Sequence, residues 1–346
     1  VTRRTALGFV LSSASFLGGC AGLDPSAVDT AAARTGSIGL LVPLSGPLAA
    51  VGLGMQRAAE LARSAGRGAI RVETFDTTSG DAVQRAIGGG ADLLLGPVTA
   101  AETRAVMAVA GTVPVVSFSN DAALAGRGAV VFGITPEQSV FAILRHARAE
   151  GLRRIAVVAA PGAFGTRAAE AAARLAPDLG LTLTATLLRD PAQPGLVAAL
   201  RAGGPLPDAV LLPDGEGALE RFAGDLSGTG VALLGTAQWA LRPPNVVAAL
   251  RGAAFAAPSP SRLAPFARAY EKAYGEAPGV LSALAFDAVR MAQVLVKDGP
   301  ITRAGLSRPA GFPGVSGDFR VLASGLVTRE LGILGVTSSG VDGDVG

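Results

Sequence analysis

The chain has 346 residues, 49% of them hydrophobic, which is enough apolar content for two lobes of ordinary domain size. Its 30 Lys and Arg face 27 Asp and Glu, and two of the basic residues, Arg3 and Arg4, stand at the very start, so the rest is close to neutral. That balance argues against a nucleic-acid or acidic-lipid footprint, which needs clustered basic charge. One cysteine and one histidine exclude an internal disulfide and argue against a zinc site.

Arg3 and Arg4 are followed by an apolar run over 6–16, small residues and Cys20. Basic, apolar and small blocks in that order read as a secretion signal; the competing reading is a short buried helix ending in a core cysteine. Leu17-Gly18-Gly19-Cys20 resembles the lipobox of bacterial lipoproteins, which implies that Cys20 is lipidated and becomes the mature N-terminus. Thr2-Arg3-Arg4-Thr5-Ala6-Leu7 also resembles a twin-arginine signal, although paired arginines occur in any basic leader. Residues 1–20 are therefore expected to be the signal and 21–37, small and polar, a tether. No second apolar run is long enough to span a bilayer, so the membrane link is expected at Cys20 alone. Ala21 and Gly22, with no aspartate after the cysteine, resemble lipoproteins sent to the outer membrane.

From Ile38 the chain alternates short apolar runs with helix-period segments. Strands are predicted at 38–42, 70–75, 92–95, 113–118, 130–133, 155–159, 181–188, 209–212 and 231–234. Helices are predicted at 49–64, 81–87, 99–110, 136–150, 166–179, 196–201, 218–226, 262–274 and 281–297. Continuously apolar strands are buried on both faces. Strand–helix–strand order with short loops gives parallel sheets covered by helices, and this many units calls for two sheets. Residues 314–320 and 329–336 read as a hairpin turning at Ala323-Ser324-Gly325, and 337–346 as a disordered tail.

Ligands of open parallel sheets sit beyond the strands' carboxyl ends, where helix N-termini point N–H groups outward. Four loops fit: 43–47, 96–99, 117–121 and 161–166, all rich in hydroxyls or glycine. Thr99-Ala100-Ala101-Glu102 is also a capping box, so the Thr99 hydroxyl serves either its own helix or a ligand carboxylate. Loop serines such as Ser45 and Ser117 usually serve turns.

Catalytic patterns are scarce. His146, the sole histidine, lies within a predicted helix with no nucleophile placed near it. There is no Gly-x-Ser-x-Gly elbow, no Ser-x-x-Lys and no phosphate loop. Asp214 and Glu216 form a loop carboxylate pair of the kind that is usually solvated. No enzymatic activity, cofactor or metal is expected.

The stretch Ile38-Gly39-Leu40-Leu41-Val42-Pro43-Leu44-Ser45-Gly46-Pro47 resembles the opening of type I periplasmic binding proteins of the leucine/isoleucine/valine-binding kind. Asp92 to Thr99 and Val113 to Ser119 are similar to that family's second and third ligand loops, and Phe266–Tyr270 and Ala285–Val289 to its late helices. The resemblance implies an α/β fold of two lobes, each a parallel sheet flanked by helices, joined by a hinge of three crossings. It places the first lobe at 38–137 plus 254–311 and the second at 138–253 plus 312–336. It also implies a ligand carboxylate met by Val98, Thr99, Ser117 and Ser119, with Ser45 nearby, and an amino group met by Asp214. Phe164 stands where the family commonly has tyrosine; the two tyrosines, Tyr270 and Tyr274, fall on a late helix.

Ser117-Phe118-Ser119-Asn120, Gly235-Thr236-Ala237-Gln238-Trp239 and the run from Arg308 to Arg320 resemble the alphaproteobacterial penicillin-binding-protein activator lipoproteins of the same fold. Trp239 is then either a cleft or interface residue, or core. The expected function is a lipid-anchored periplasmic protein binding a small polar solute, such as an amino acid, for an ABC permease. The alternative is a lipoprotein that regulates peptidoglycan synthesis by touching a penicillin-binding protein. Neither involves nucleic acid.

Overall fold

A computed structural model describes residues 36–66, 70–214, 217–241, 250–338 and 340–344. The signal, Cys20 and nearly all of the tether lie outside these residues, as does Glu216. Among the described residues no helix is long and apolar enough to cross a membrane, and no three His, Cys, Asp or Glu side chains group as a metal site.

The first sheet is all parallel. Its strands are β1 (Gly36–Val42), β2 (Ile70–Asp76), β3 (Leu93–Leu95), β4 (Val115–Ser117) and β5 (Val130–Val131), ordered β2-β1-β3-β4-β5. Alternate residues of the continuously apolar strands feed opposite layers. Ile38, Leu40, Val42, Leu93, Leu95 and Val116 face the main core, while Leu41, Leu94 and Val115 face the other side. The main core is filled by α1 (Ala49–Ala65) and a late helix, Val280–Asp298; the other side is covered by α2 (Ala82–Gly88) and α3 (Ala100–Val109). Each fully buried Leu or Ile contributes about 1.5–3 kcal/mol of transfer free energy.

The second sheet repeats the plan. β6 (Arg154–Ala159), β7 (Thr182–Leu188), β8 (Ala209–Leu212), β9 (Ala232–Gly235) and β10 (Ala254–Ala257) run parallel. β13 (Gly332–Thr337) and β14 (Gly340–Asp344) add on antiparallel, giving the order β14-β13-β10-β9-β8-β6-β7. Ala156, Val158, Val210 and Leu212 face one layer; Ile155, Val157, Ala209 and Leu211 face the other. α4 (Pro136–Ala149) and α5 (Ala163–Asp178) cover the latter, and α6 (Leu196–Arg201) and α7 (Ala218–Asp225) the former. α4 starts where its sequence says it should: Thr135 and Gln138 form a capping box with Pro136 in the first turn.

Three crossings join the lobes: residues 132–135 before α4, 258–259 between β10 and α8 (Pro260–Tyr274), and 330–331 between β12 (Val327–Arg329) and β13. The expected lobe boundaries are corrected here. Residues 254–257, assigned to the first lobe, are β10 of the second sheet; Ala-Phe-Ala-Ala lacks the β-branched residues that mark a strand. Residues 312–329, assigned to the second lobe, pack on the first, where Phe312, Phe319, Val321 and Val327 join the main core. Within the tail expected to be disordered, Thr337 closes β13 and Gly340–Asp344 form β14 against it.

The expected hairpin exists but is shorter, β11 (Phe319–Val321) against β12. Its predicted first half is diverted: Val315 and Ser316 turn their N–H groups onto the buried carboxylate of Asp287, at 2.8 and 3.0 Å. Asp287 lies on α9 (Val280–Asp298) and faces the fully buried Arg329 at 3.8 Å, with the Ser316 hydroxyl bridging the two. Arg329 lies over the rings of Phe132 and Phe319, 4.7 and 5.0 Å from their centroids, and the two rings meet edge to face. The guanidinium also donates to the Phe132 carbonyl at 3.3 Å, so one buried cation ties the first and third crossings together.

Candidate ligand-binding cleft

The strand order reverses at β1/β3 in the first sheet and at β6/β8 in the second. Loops leaving the two strands at such a point diverge and open a crevice. The residues after β1 and β3 include Ser45, Val98 and Thr99; those after β6 and β8 include Phe164 and Asp214. The topology therefore puts most of the sequence-predicted site residues at crevices. Local contacts decide what each can offer.

Ser45 hangs on the rim. Its hydroxyl donates to Asp76 Oδ2 at 3.0 Å and lies 2.5 Å from Thr78 Oγ1. Asp76 also accepts from the N–H groups of Leu44 (2.9 Å) and Thr78 (3.1 Å). These bonds, the Leu44 N–H first, lower its pKa to about 2. The β1 loop is thus pinned to the end of β2. It is also pressed on α1 from below: a Cβ at Gly52 would stand 1.7 Å from the Pro43 carbonyl oxygen. Only glycine lets the helix approach that closely.

Thr99 caps α3. Its hydroxyl accepts from the Glu102 N–H at 3.2 Å and donates to Glu102 Oε2 at 2.7 Å, and the same oxygen takes the Thr99 N–H at 3.2 Å. The capping reading of this motif is the one adopted, and the chain's own carboxylate holds the donors that the resemblance assigned to a ligand. Val98 packs on the main core. Ser117 is fully buried. Its hydroxyl lies 2.6 Å from Thr103 Oγ1, donates weakly to the Pro97 carbonyl and accepts the Ser119 N–H at 3.1 Å. Ser117 therefore braces the second and third loops from inside. Ser119, two residues on, is also buried, and its hydroxyl accepts the Asp121 N–H at 3.2 Å.

In the second lobe, Asp214 Oδ2 accepts the Ala160 N–H at 2.6 Å, joining the two switch-point loops. Burial raises the pKa of this carboxyl, and the Ala160 N–H opposes the rise. The first turn of α5 rides on it: a Cβ at Gly165 would be 3.1 Å from Asp214 Oδ1. Phe164, on that turn, is half-buried.

An ion pair crosses between the lobes at this level. Asp121 ends the third loop, and Arg167 lies on α5. Arg167 Nη2 is 2.8 Å from Asp121 Oδ1, while Arg104 of α3 holds Oδ2 at 3.0 Å. Sequence reasoning placed Asp121 in a ligand loop but not Arg167 or Arg104. Both arginines sit on helices whose apolar period says nothing about a partner in another layer.

Trp239 is resolved as core. It is fully buried, lies 5.6 Å from the ring of Phe255 and donates its Nε1–H to the Leu212 carbonyl at 3.0 Å. Tyr270 and Tyr274 bond to carbonyls of α1, at Gly54 and Arg57, and hold α8 onto it. His146 is half-buried on α4.

The sequence matches the family model described as periplasmic binding protein over residues 35–312. The chain belongs to that family. No curated protein matches it. Among solved structures, a putative branched-chain amino acid ABC transporter protein from Rhodospirillum rubrum superposes with a TM-score of 0.77 at 19% identity, covering 90% of this chain and 100% of that one. The C-domain of LpoA from Haemophilus influenzae, a regulator of PBP1A, gives 0.68 at 18% identity, covering 89% and 100%. A solute-binding protein from R. palustris in complex with 4-hydroxybenzoate gives 0.69 at 15% identity, covering 90% and 96%. At such identities the likeness is one of fold: this periplasmic binding protein has the two-lobed type I architecture with parallel-sheet cores.

Proposed function

We propose that this periplasmic binding protein is an extracytoplasmic, lipid-anchored solute receptor for an ABC permease, holding a small polar solute between its lobes. The observation that supports the reading is that Ser45 and Thr99 follow the strands of one switch point and Phe164 and Asp214 those of the other, with Asp121 and Arg167 joining the two sides. Asp214 is the natural partner for a solute ammonium. A half-buried carboxylate with one N–H partner gains from a neighbouring cation, and Asp214→Asn is expected to weaken amino-bearing solutes selectively. Cys20 is the proposed anchor, with the outer membrane as its destination.

The test is a thermal-shift panel of amino acids and aromatic carboxylates on the purified protein. A solute at a hundredfold its dissociation constant stabilises by about 2.7 kcal/mol. A specific shift, lost in the Asp214→Asn variant for amino-bearing solutes, supports the receptor.

A second reading has its own observation. Glu102 takes both donors of Thr99, and the Ser117 hydroxyl is consumed inside the lobe. A cleft whose carboxylate-binding groups are already paired suits a regulator of penicillin-binding proteins, acting through its surface. No shift with any solute, together with co-purification of a peptidoglycan synthase, selects that reading.

A further inference from the structure

A groove lies in the seam between the lobes, on the hinge side of Asp121. One wall is α4 and α5 of the second lobe, with Glu137, Phe141, Arg145 and Arg174; the other is Ala122, Leu322 and Leu326 of the first. Leu326 belongs to that lobe because it forms a parallel bridge to Val131 of β5. The groove has a volume of about 450 Å³. Its apolar side chains stay in water: Phe141 is 43% exposed and Leu322 37%.

Charge and length say what fits. Arg145 stacks on Phe141, 5.7 Å from its centroid, and among the described residues neither Arg145 nor Arg174 has a carboxylate within ion-pair distance. Arg262, farther along, is already matched by Asp318 and Glu330. The groove continues into a second cavity of about 430 Å³ that shares Ala142, Arg145, Glu330 and Leu331 and reaches Ala149. From Glu137 to Ala149 a helix rises about 18 Å at 1.5 Å per residue. That is the reach of about five residues of extended chain. A compact solute would leave most of this length empty.

We propose that the seam is a docking site for an extended acidic segment of a protein partner. An apolar side chain of the segment lies on Phe141 and Leu322. Its carboxylates meet Arg145 and Arg174. Because the walls come from different lobes, occupancy is coupled to closure. Arg174 lies seven residues after Arg167 on the same helix, and Ala122 adjoins Asp121, so the groove and the interlobe ion pair share both walls. The inference does not rest on which solute, if any, enters the cleft.

The test is selection of a displayed random heptapeptide library on the intact protein, followed by affinity measurements on single variants. Enriched peptides are expected to combine Asp or Glu with Leu, Ile or Phe. Phe141→Ser and Arg145→Glu should each weaken them at least tenfold. A peptide with Lys in place of its acids should regain binding to Arg145→Glu. Both positions are exposed, so the variants keep the fold, which thermal unfolding checks. Absence of any enriched peptide, or enrichment of peptides indifferent to both substitutions, overturns the proposal. So does a concentration-dependent dimer that Phe141→Ser abolishes, which would give the groove to a second copy of the chain.

Discussion

Arg167 of the second lobe reaches 2.8 Å to Asp121 of the first, and Arg104 holds the other oxygen of the same carboxylate at 3.0 Å. Asp121 is anchored to its own lobe: Arg104, the Ser119 hydroxyl and the N–H of Ala123 all bond to it. Arg167 is the partner that departs when the lobes separate. A half-exposed ion pair of this kind contributes up to about 1 kcal/mol. That is about a fivefold bias toward closure. Arg167→Ala is expected to shift the population toward the open form by that factor, and high salt to do the same to the native protein. Small-angle scattering reads both as an increase in radius of gyration.

The Asp287–Arg329 pair predicts a larger effect on stability. Both side chains are buried, and removing one leaves the other without its counter-charge. Asp287→Ala is expected to cost about 3–5 kcal/mol. Arg262→Ala, which breaks exposed pairs to Asp318 and Glu330, should cost less than about 1 kcal/mol. Urea unfolding of the two variants side by side checks the contrast.

Asp76 predicts an acid dependence with a defined sign. Its folded pKa, about 2, lies below the unfolded carboxyl value of about 3.9. Its contribution is therefore fully present above about pH 4 and is lost as pH falls toward 2. Asp76→Asn should remove that part of the stability profile, and an NMR titration of the side chain should give a midpoint below the ordinary carboxylate range.

Gly52→Ala tests the seating of the β1 loop. The new methyl group would meet the Pro43 carbonyl, which is backbone and cannot rotate away. Destabilisation of about 1–3 kcal/mol is expected, with displaced amide resonances at Leu44 and Ser45. Gly46→Ala is the useful contrast, since no atom lies near its Cβ position and only its φ of +73° resists the change.

Much of the architecture is legible in the sequence. Strands such as Ile38-Gly39-Leu40-Leu41-Val42 and Ala209-Val210-Leu211-Leu212 announce burial on both faces, and α4 announces itself through Thr135, Pro136 and Gln138. What escaped was set by distant partners. β10 is built of small residues and becomes a strand by pairing with β9 and β13. Val315 and Ser316 leave the predicted hairpin because Asp287, nearly thirty residues earlier, needs their N–H groups. The site was legible to the level of loops. Which hydroxyl faces a ligand was not, since Ser117 and Thr99 are claimed by Thr103 and Glu102 through contacts that residue type alone leaves open.

The central claim is that two lobes open and close on the Asp121 seam. It is tested most directly by the interlobe distance distribution from spin labels at Gln84→Cys on α2 and Arg201→Cys on α6, in a Cys20→Ser background. The account predicts two populations, with the longer distance enriched in Arg167→Ala and the shorter one by a solute that raises the melting temperature. A single distance, unmoved by Arg167→Ala and by every solute tried, would contradict it.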